Sequence, residues 1–298
     1  MTAASICNTC SLPSAHERYA HAIVWPAQAH MMKKIVNFLQ DSNFNYDADR
    51  ENGFIVVDTE DSDIFAANLS DALTNIEAQD TRILLSDSKS PTLGAFKDVV
   101  SLAHLMDRLN SRWLISMLDE QRYVSYAQPI VSAEGKWDTV GHEFLFRGID
   151  HQGDLIPPDT LFGAAKDPQL LFNLDRTARI NAVMTAAKMD DDGDVFINFV
   201  PGSVYDANVC LRTTVASAKE NNIANERIVI EIVESHQIDD TDHLRNIVDF
   251  YRSAGFRIAL DDFGTGFNNF DMYVALEPDF IKLDKTLTMN LTDDDPRL

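Results

Sequence analysis

An apolar run that ends in two adjacent carboxylates is the feature that most constrains what this chain can fold into. Ile258 to Leu260 are apolar, Asp261 and Asp262 follow, and Gly264 comes shortly after them. A short apolar run bounded by turn-forming residues indicates a buried strand, so the acids are expected where that strand ends. Adjacent carboxylates repel each other unless both point into water or a divalent cation lies between them. Two interpretations stay open at this point, an acidic turn and a metal site.

Polar side chains recur near the ends of other strand-like runs. They are Glu143 within 141–147, Asn198 within 195–199, Glu231 and Glu234 within 228–234, and Lys282 and Asp284 within 280–284. Because strand side chains alternate between two faces, Glu143, Leu145 and Arg147 are expected on one face. Helix-like segments separate the runs. Alternating strands and helices with polar strand ends predict a TIM-like (β/α) barrel, whose site lies at the carboxyl ends of its strands.

From Gln128 onward, the ordered set of motifs resembles the EAL domain family of cyclic di-GMP phosphodiesterases. The matching segments are Glu143-Phe144-Leu145-Phe146-Arg147, Asn198, Glu231 to Glu234, Asp261 to Gly266, and Lys282 to Asp284. Each motif alone is weak, whereas the ordered set is specific. The resemblance implies an α/β fold with a barrel of the EAL type.

The resemblance also implies a two-metal site that holds Mg²⁺ or Mn²⁺. Glu143, Asn198, Glu231 and Asp261 would bind one ion, and Asp261 with Asp262 a second. These hard oxygen donors suit Mg²⁺ or Mn²⁺ rather than zinc. The implied reaction is metal-dependent hydrolysis of cyclic di-GMP to linear pGpG in bacterial second-messenger signalling. The alternative is a catalytically inactive EAL-type protein that binds cyclic di-GMP or a protein partner.

Further roles follow from the same resemblance. Lys282 would position or activate the attacking water, with a salt bridge to Asp284 as its alternative role. Glu234 would anchor the loop after Asp262, a loop that serves metal binding and dimer contacts, so a homodimer is expected. The residues expected to contact the dinucleotide are Gln128, Leu145, Arg147, Pro158, Asp175 and Asp284. Arg147 suits a phosphate, whereas Pro158 and Asp175 could equally cap a turn and a helix.

The sequence departs from the family pattern in three places. Phe144 replaces the alanine of the signature, but the alternation of side chains directs it towards the surrounding helices rather than the metals. Phe267-Asn268-Asn269 stands where the family often has Tyr-Ser-Ser. Few residues follow Asp284, whereas the family continues with two more strands, a metal-binding glutamate and a substrate-contacting glutamine. We therefore expect a domain that is incomplete at its C-terminus, with open sheet edges and doubtful activity.

The sequence pattern predicts that residues 1–118 form a separate α/β module of regulatory or sensory type. Residues 119–298 are predicted to form the EAL domain. Within the module, strands are expected at 22–25, 53–57 and 82–85, and helices at 27–40 and 62–77. Apolar residues at helical spacing over 95–120 predict a long connecting helix. Cys7 and Cys10 could belong to a zinc site completed by His16, His21 or His30, or to a frayed terminus, and a single such pair is weak evidence.

The composition restricts the location and the partners of the protein. A formal net charge of −22 argues against nucleic acid and anionic membranes as partners, because both repel an acidic surface. We find neither an apolar stretch of membrane-spanning length nor the pattern of a signal peptide. The 3 cysteines cannot form a disulfide framework. We expect a cytoplasmic protein whose partners are cyclic di-GMP, a second copy of the chain and a regulatory protein.

Overall fold

The computed structural model describes residues 18–134, 136–204, 206–232, 241–264 and 269–289. The chain forms two compact units. Among these described residues, the N-terminal unit comprises those between 18 and 116 together with Ala164–Asp167, and the barrel unit comprises those from Met117 to Gly163 and from Pro168 to 289. The predicted division between a module at 1–118 and an EAL domain at 119–298 stays a prediction.

The N-terminal unit contains a five-stranded antiparallel sheet in the order β2-β3-β1-β4-β5. Its elements are β1 (His21–Trp25), α1 (Ala29–Asp41), β2 (Tyr46–Asp49), β3 (Phe54–Asp58), α2 (Ser62–Asp71), α3 (Asn75–Asp80), β4 (Arg82–Ser86), a 3₁₀ helix (Leu93–Asp98), β5 (Val100–Ser101) and α4 (Leu102–Asn110). The succession β1-α1-β2-β3-α2-β4, with β1 between β3 and β4, is the ferredoxin-like split βαβ arrangement. The small α/β module predicted from the sequence is therefore confirmed.

Alternating side chains give the strands of this sheet two buried faces. Ala22, Val24, Ile55 and Val57 belong to one core cluster with apolar residues of the helices, among them Phe65 of α2. The intervening residues Ile23, Val56 and Leu84 form a second cluster on the opposite face. Because both faces are covered, these strands have continuous apolar sequences, which is why they could be recognised from the sequence alone.

The predicted helices of this unit differ from those observed at two places. The predicted helix over 62–77 is interrupted before Thr74, because Thr74 and Glu77 form a capping box that starts α3. The predicted long helix over 95–120 consists instead of the 3₁₀ helix, β5, α4 and α5 (Arg112–Asp119). Ser111 ends α4, and its hydroxyl donates a 2.7 Å hydrogen bond to the Asp107 carbonyl. Local side-chain hydrogen bonds thus interrupt a continuous helical pattern.

The barrel unit contains a seven-stranded sheet in the order β12-β11-β10-β9-β7-β6, with β8 paired to β7. Its elements are β6 (Tyr123–Val131), β7 (Thr139–Ile149), β8 (Leu155–Ile156), α6 (Pro158–Ala164), α7 (Pro168–Ala186), β9 (Asp194–Phe199), α8 (Ala207–Cys210), α9 (Arg212–Glu220), β10 (Ile228–Ile232), α10 (Thr241–Ser253), β11 (Arg257–Phe263), α11 (Asn269–Leu276), β12 (Phe280–Leu283) and α12 (Lys285–Thr288). The pairs from β7 through β12 are parallel, whereas β6 and β8 run antiparallel to β7.

This order of parallel strands and helices confirms the predicted barrel-type α/β architecture. The described sheet is not closed, since β6 and β12 are its two ends and do not pair with each other. The antiparallel direction of β6 was not predicted from the sequence. Pro129 lies within β6, and a proline that cannot donate a hydrogen bond is tolerated in a strand at the edge of a sheet.

The two faces of the barrel-unit sheet have different apolar layers. Ile197, Ile230 and Leu260 lie in the core cluster that packs against the helices, together with Phe144, which is 4% exposed. The expectation that Phe144 contacts the helices is confirmed. The alternate residues Phe196, Val229 and Ala259 form a separate layer with Ile130 and Phe280 on the inner face. This inner layer supports the polar residues that follow it along each strand.

The described helices have polar residues distributed along their length. The helix α7 has 19 residues, and its sequence includes Asp175, Arg176 and Arg179. Within the described part of the chain, we find no helix with both the length and the apolar character needed to span a membrane.

Candidate active site

Three carboxylates from three different strands meet on the inner face of the barrel unit. Glu143 of β7, Glu231 of β10 and Asp261 of β11 each have a ligand oxygen, and these oxygens lie within 4.8 Å of one another. Glu231 is fully buried, and the other two are partly buried. A group of oxygen donors this close is typical of a site for a hard cation.

Strand register explains why these residues converge. Asn198 of β9 pairs with Glu231, and Glu231 pairs with Ala259, so all three lie at the same level of the sheet. Asp261 lies two residues beyond Ala259 and therefore on the same face. On β9, β10, β11 and β12, a residue of the apolar inner layer precedes the polar residue by two positions, as Phe196 precedes Asn198. An ordinary period-two pattern therefore produces an apolar layer and a polar layer above it.

Lys282 of β12 lies among the three carboxylates. Its Nζ is 2.9 Å from Glu231 Oε1, 3.1 Å from Asp261 Oδ1 and 3.2 Å from Glu143 Oε2. Burial by itself would lower the pKa of the Lys282 ammonium. The attraction of Glu231, followed by that of Glu143 and Asp261, outweighs burial and raises this pKa. The alternative role foreseen for Lys282, a salt bridge to Asp284, is not among these contacts.

The electrostatics of Glu231 favour a cation in this cluster. Burial raises the pKa of Glu231 to about 8, and repulsion from Glu143 adds to the effect, whereas Lys282 opposes it. The Oε2 atom of Glu231 is buried and has no hydrogen-bond partner among the described residues. A buried carboxylate oxygen without a partner is costly unless it protonates or coordinates a cation.

Asn198 joins the cluster through Glu143. Its Nδ2 donates a 3.0 Å hydrogen bond to Glu143 Oε1, which orients the amide and holds the carboxylate. The amide oxygen of Asn198 would supply a further neutral oxygen ligand. The fold thus brings together the four residues that the resemblance predicts as ligands of one metal ion: Glu143, Asn198, Glu231 and Asp261.

Asp262 has an unusual backbone conformation beside the cluster. Its φ is +53°, and the pairing of β11 with β12 shifts register between Leu260 and Phe263. The Asp262 amide donates a 3.0 Å hydrogen bond to Asp261 Oδ1. Desolvation, followed by repulsion from Asp261 and then Asp284, raises the pKa of Asp262. The irregularity therefore lets two successive residues present carboxylates to one region, where a cation would relieve their repulsion.

A cavity of about 290 Å³ adjoins the carboxylate cluster. Its lining residues are Glu143, Phe144, Leu145, Phe146, Arg147, Pro158, Asp159, Phe162, Ala178, Ile197, Asn198 and Val200. Three residues predicted to contact the dinucleotide, Leu145, Arg147 and Pro158, therefore border the same space as two predicted metal ligands. Gln128 pairs with Glu143 across β6 and β7, which puts it on the same face.

Asp175 lies in a buried polar network. Its carboxylate accepts hydrogen bonds from the Val200 amide and the Ser203 hydroxyl, and it forms an ion pair with Arg179 at 2.8 Å. Arg179 is 0% exposed and also lies over the ring of Phe199. These contacts connect α7 to β9 and the segment after it. The substrate contact expected for Asp175 stays a prediction, and the observed contacts give this residue a structural role.

Several other predicted residues have different surroundings or lie outside the described part of the chain. Asp284 begins α12, where its side chain accepts a 2.7 Å hydrogen bond from the Thr286 amide. Glu234, Phe267, Asn268, Cys7, Cys10 and His16 lie outside the described residues. His21 contacts Asp58 at 3.0 Å, and His30 lies 3.8 Å from Glu77.

Two lining residues of the cavity were not singled out from the sequence. Asp159 and Phe162 are both on α6, which begins at Pro158. The spacing of three residues between Asp159 and Phe162 was an available signal, because residues three apart on a helix share a face. Nothing in a single sequence shows that this face is turned towards the strand that carries Glu143.

The fold and this site define a protein class: a barrel-type α/β protein with an oxygen-donor site suited to divalent cations beside a small-molecule cavity. A family model described as the EAL domain matches residues 111–297. The chain belongs to the EAL domain family. The resemblance inferred from the ordered motifs is thereby confirmed.

Curated relatives match over the same part of the chain. Cyclic di-GMP phosphodiesterase PdeL of Escherichia coli (strain K12) is 28% identical over 182 residues, which is 57% of this chain and 47% of the relative. Cyclic di-GMP phosphodiesterase PdeF of the same organism is 26% identical over 178 residues, covering 58% of this chain and 23% of the relative. The chain thus spans less than half of the length of these relatives.

Solved structures of EAL proteins share the fold. A standalone EAL protein from Vibrio cholerae O395, in its c-di-GMP-bound form, has a TM-score of 0.53 and 28% identity, covering 59% of this chain and 71% of its own. The EAL-domain protein YkuI of Bacillus subtilis, in complex with c-di-GMP and calcium, has a TM-score of 0.51 and 24% identity. That match covers 58% of this chain and 43% of YkuI, and at this identity it supports the fold alone.

Proposed function

We propose that this EAL domain hydrolyses cyclic di-GMP to linear pGpG in bacterial second-messenger signalling, with Mg²⁺ or Mn²⁺ as cofactor. The observation that carries the proposal is the convergence of Glu143, Glu231 and Asp261 within 4.8 Å at the edge of a cavity that also contains Arg147. The names of the phosphodiesterase relatives and the c-di-GMP-bound Vibrio cholerae neighbour support the same substrate.

The residues present fit a divalent ion. The buried Oε2 of Glu231 has no hydrogen-bond partner within the described residues, and all the donors are hard oxygens. Glu143, Asn198, Glu231 and Asp261 would hold one ion, and Asp261 with Asp262 a second. When bound, such ions supply a water of lowered pKa and polarise phosphoryl oxygens.

The side chains of the protein would bind and orient the dinucleotide. We assign phosphate binding to Arg147, whose guanidinium borders the cavity and can donate two parallel hydrogen bonds. Gln128, Leu145 and Pro158 would contact the rest of the ligand. Lys282 would position the water near the cluster, since its ammonium contacts all three carboxylates.

We further propose that Glu234 supports the loop after Asp262 and that the domain acts as a homodimer. The N-terminal unit would serve as a regulatory or sensory module, because it is a compact unit of its own with a separate sheet and core.

A catalytically inactive protein that binds cyclic di-GMP is the second candidate. The observation that favours it is the position of Lys282, whose positive charge already lies between 2.9 and 3.2 Å from all three carboxylates. An ammonium at this place partly compensates the charge that a metal would otherwise neutralise.

One experiment separates the two candidates. The full chain is incubated with cyclic di-GMP and either Mg²⁺ or Mn²⁺, conversion to pGpG is followed by chromatography, and nucleotide affinity is measured in parallel by calorimetry. Metal-dependent turnover that is abolished in Lys282→Ala and in Asp261→Asn supports the phosphodiesterase. Binding without turnover at any metal concentration supports the inactive binder and contradicts the first proposal.

A further inference from the structure

The backbone that follows Asn198 is held by two buried side chains. Asn198 is the last residue but one of β9, which ends at Phe199. The Val200 amide donates a 3.0 Å hydrogen bond to Asp175 Oδ1, and the Val200 carbonyl accepts a 2.7 Å hydrogen bond from the Ser203 hydroxyl. Asp175 and Ser203 are both buried. Side chains from outside β9 therefore fix both backbone polar groups of the residue two positions beyond Asn198.

Phe199 is held by the same part of the helix α7. Because strand side chains alternate, Phe199 points away from the face that carries Asn198 and lies in the core cluster on the helix side of the sheet. The guanidinium carbon of Arg179 lies 5.4 Å from the centre of the Phe199 ring. Arg179 is also the ion-pair partner of Asp175, at 2.8 Å. The two residues that follow Asn198 thus contact the two members of one buried ion pair.

Two further helices fix this ion pair. Arg179 donates hydrogen bonds to the hydroxyl of Thr214 on α9 and, at 3.4 Å, to the hydroxyl of Tyr251 on α10. Arg179, Thr214 and Tyr251 are all fully buried. Networks of buried hydrogen bonds and charges rigidify the core around them. The Asp175 carboxylate is therefore a fixed point from which the end of β9 is held.

The place of Asn198 matters because its amide faces the carboxylate cluster. The Nδ2 atom donates its 3.0 Å hydrogen bond to Glu143 Oε1, which leaves the amide oxygen as the atom that can coordinate a cation. Functional groups of this kind have to be held within about 0.5 Å of their productive geometry. A displacement of the end of β9 would move this oxygen relative to Glu231, with which Asn198 pairs across the strands.

We propose that Asp175 is a positioning residue for the metal site: by accepting the hydrogen bond of the Val200 amide, it holds the end of β9 so that Asn198 presents its amide oxygen to the metal ion. The inference rests on the proposed function, because it requires a metal ion at the carboxylate cluster. Asp175 is 1% exposed, and in this role it touches neither the ion nor the nucleotide. Arg179 orients the carboxylate and packs on Phe199.

The test separates positioning from stability with two variants that break the ion pair differently. Arg179→Met removes the guanidinium and keeps the Asp175 acceptor. The double variant Asp175→Leu with Arg179→Met removes the acceptor as well, but it leaves no unpaired buried charge, so it should be the more stable of the two in urea. In calorimetric titrations of the full chain, Mn²⁺ affinity should nevertheless fall roughly 10- to 100-fold in the double variant and stay close to wild type in Arg179→Met.

A double-mutant cycle tests whether the effect passes through Asn198. Asn198→Ala alone should weaken Mn²⁺ binding, because it removes a ligand. Adding Asp175→Leu and Arg179→Met to Asn198→Ala should cause little further loss, since the oxygen that Asp175 positions is already absent. A general loosening of the barrel unit would instead weaken Mn²⁺ binding by the same factor in both backgrounds, and that result would overturn the proposal.

The outcomes distinguish the inference from the function on which it rests. If the wild type binds no Mn²⁺, the proposed function fails and the inference fails with it. If the wild type binds Mn²⁺ and the double variant binds it equally well, the positioning role is refuted while the metal-dependent function stands. Equal losses of affinity in Arg179→Met and in the double variant would also refute it, because affinity would then follow the ion pair rather than the hydrogen bond to Val200.

Discussion

Lys282 Nζ lies 2.9 Å from Oε1 of the fully buried Glu231, and this ion pair lies at the centre of the carboxylate cluster. The same ammonium contacts Glu143 and Asp261. One positive charge cannot balance three carboxylates, and repulsion from Glu143 contributes to the raised pKa of Glu231. A divalent cation would supply the missing charge, so metal binding and ionisation of Glu231 are expected to occur together.

The first prediction concerns Asp261→Asn. This change should weaken Mn²⁺ binding at least tenfold in calorimetric titrations, because it replaces a charged ligand with a neutral amide in a group within 4.8 Å. It should alter the thermal midpoint little, since Asp261 serves the site rather than an apolar core. Asp242→Asn, an exposed acid on α10, is the matched control. Unchanged Mn²⁺ affinity in Asp261→Asn would remove this residue from the ligand set.

The second prediction concerns Arg147→Ala. Loss of a charge-assisted hydrogen bond to phosphate should weaken cyclic di-GMP binding by about 1.5–3 kcal/mol. Metal binding should stay nearly intact, because a guanidinium cannot coordinate a cation. Arg212→Ala, an exposed arginine on α9, controls for the change in overall charge. Wild-type affinity in Arg147→Ala would reassign this side chain to its hydrogen bond with the Phe146 carbonyl.

The polar residues at the strand ends could be predicted from the sequence, because each one directly follows the apolar run that forms its strand. An apolar run determines which residue emerges on which face, so the amino-acid pattern alone was enough to place Glu231 and Asp261 at strand ends. The distances between them depend on the register of neighbouring strands, such as the pairing of Asn198 with Glu231. Register is set by tertiary packing, which is why the three contacts of Lys282 could not be foreseen.

The N-terminal unit shows where local patterns mislead. Apolar spacing alone predicted one helix over 62–77, although the Thr74 and Glu77 capping signal was present in the sequence. The strand β2 was missed because its sequence, Tyr-Asp-Ala-Asp, is polar on its exposed side and short. The strand β2 forms because Tyr46 to Asp49 pair with β3, which follows after a short turn. Pairing at the edge of a sheet thus outweighed weak intrinsic preference.

The third prediction concerns the buried pair of Asp175 and Arg179. Asp175→Ala should destabilise the barrel unit by about 3–5 kcal/mol, since it leaves a fully buried guanidinium without its carboxylate. The double variant Asp175→Leu with Arg179→Met should be less unstable than the sum of the two single changes, because it removes both charges. Urea unfolding measures both effects, with the exposed Asp190→Ala as control. A loss below about 1 kcal/mol in Asp175→Ala would show that the pair is not a structural element.

The fourth prediction concerns the pH dependence of the N-terminal unit. Glu77 accepts hydrogen bonds from Lys34 Nζ at 2.6 Å and from the Thr74 amide at 2.7 Å. These contacts, with Lys34 as the largest cause, lower the pKa of Glu77 from 4.5 to about 2. A carboxyl whose pKa is lower in the folded state stabilises the fold above its unfolded pKa and loses that effect as pH falls through its folded value. The stabilisation by Glu77 is therefore complete above about 4.5 and disappears towards 2.

Glu77→Gln should accordingly lower the urea midpoint of the N-terminal unit at neutral pH, and the difference from wild type should shrink as the pH falls below about 4.5. Lys34→Met should reproduce part of this effect, because it removes the ion pair with Glu77 and leaves the capping box. Lys33→Met is the control and should not change the urea midpoint, since Lys33 is exposed on the same helix. High salt should reduce the contribution of Lys34 more than that of the cap, because screening acts on the separated charges. If the urea midpoints of wild type and Glu77→Gln changed in parallel with pH, the Glu77 carboxylate would have the same pKa in the folded and the unfolded chain. That result would contradict a role of this contact in the stability of the N-terminal unit.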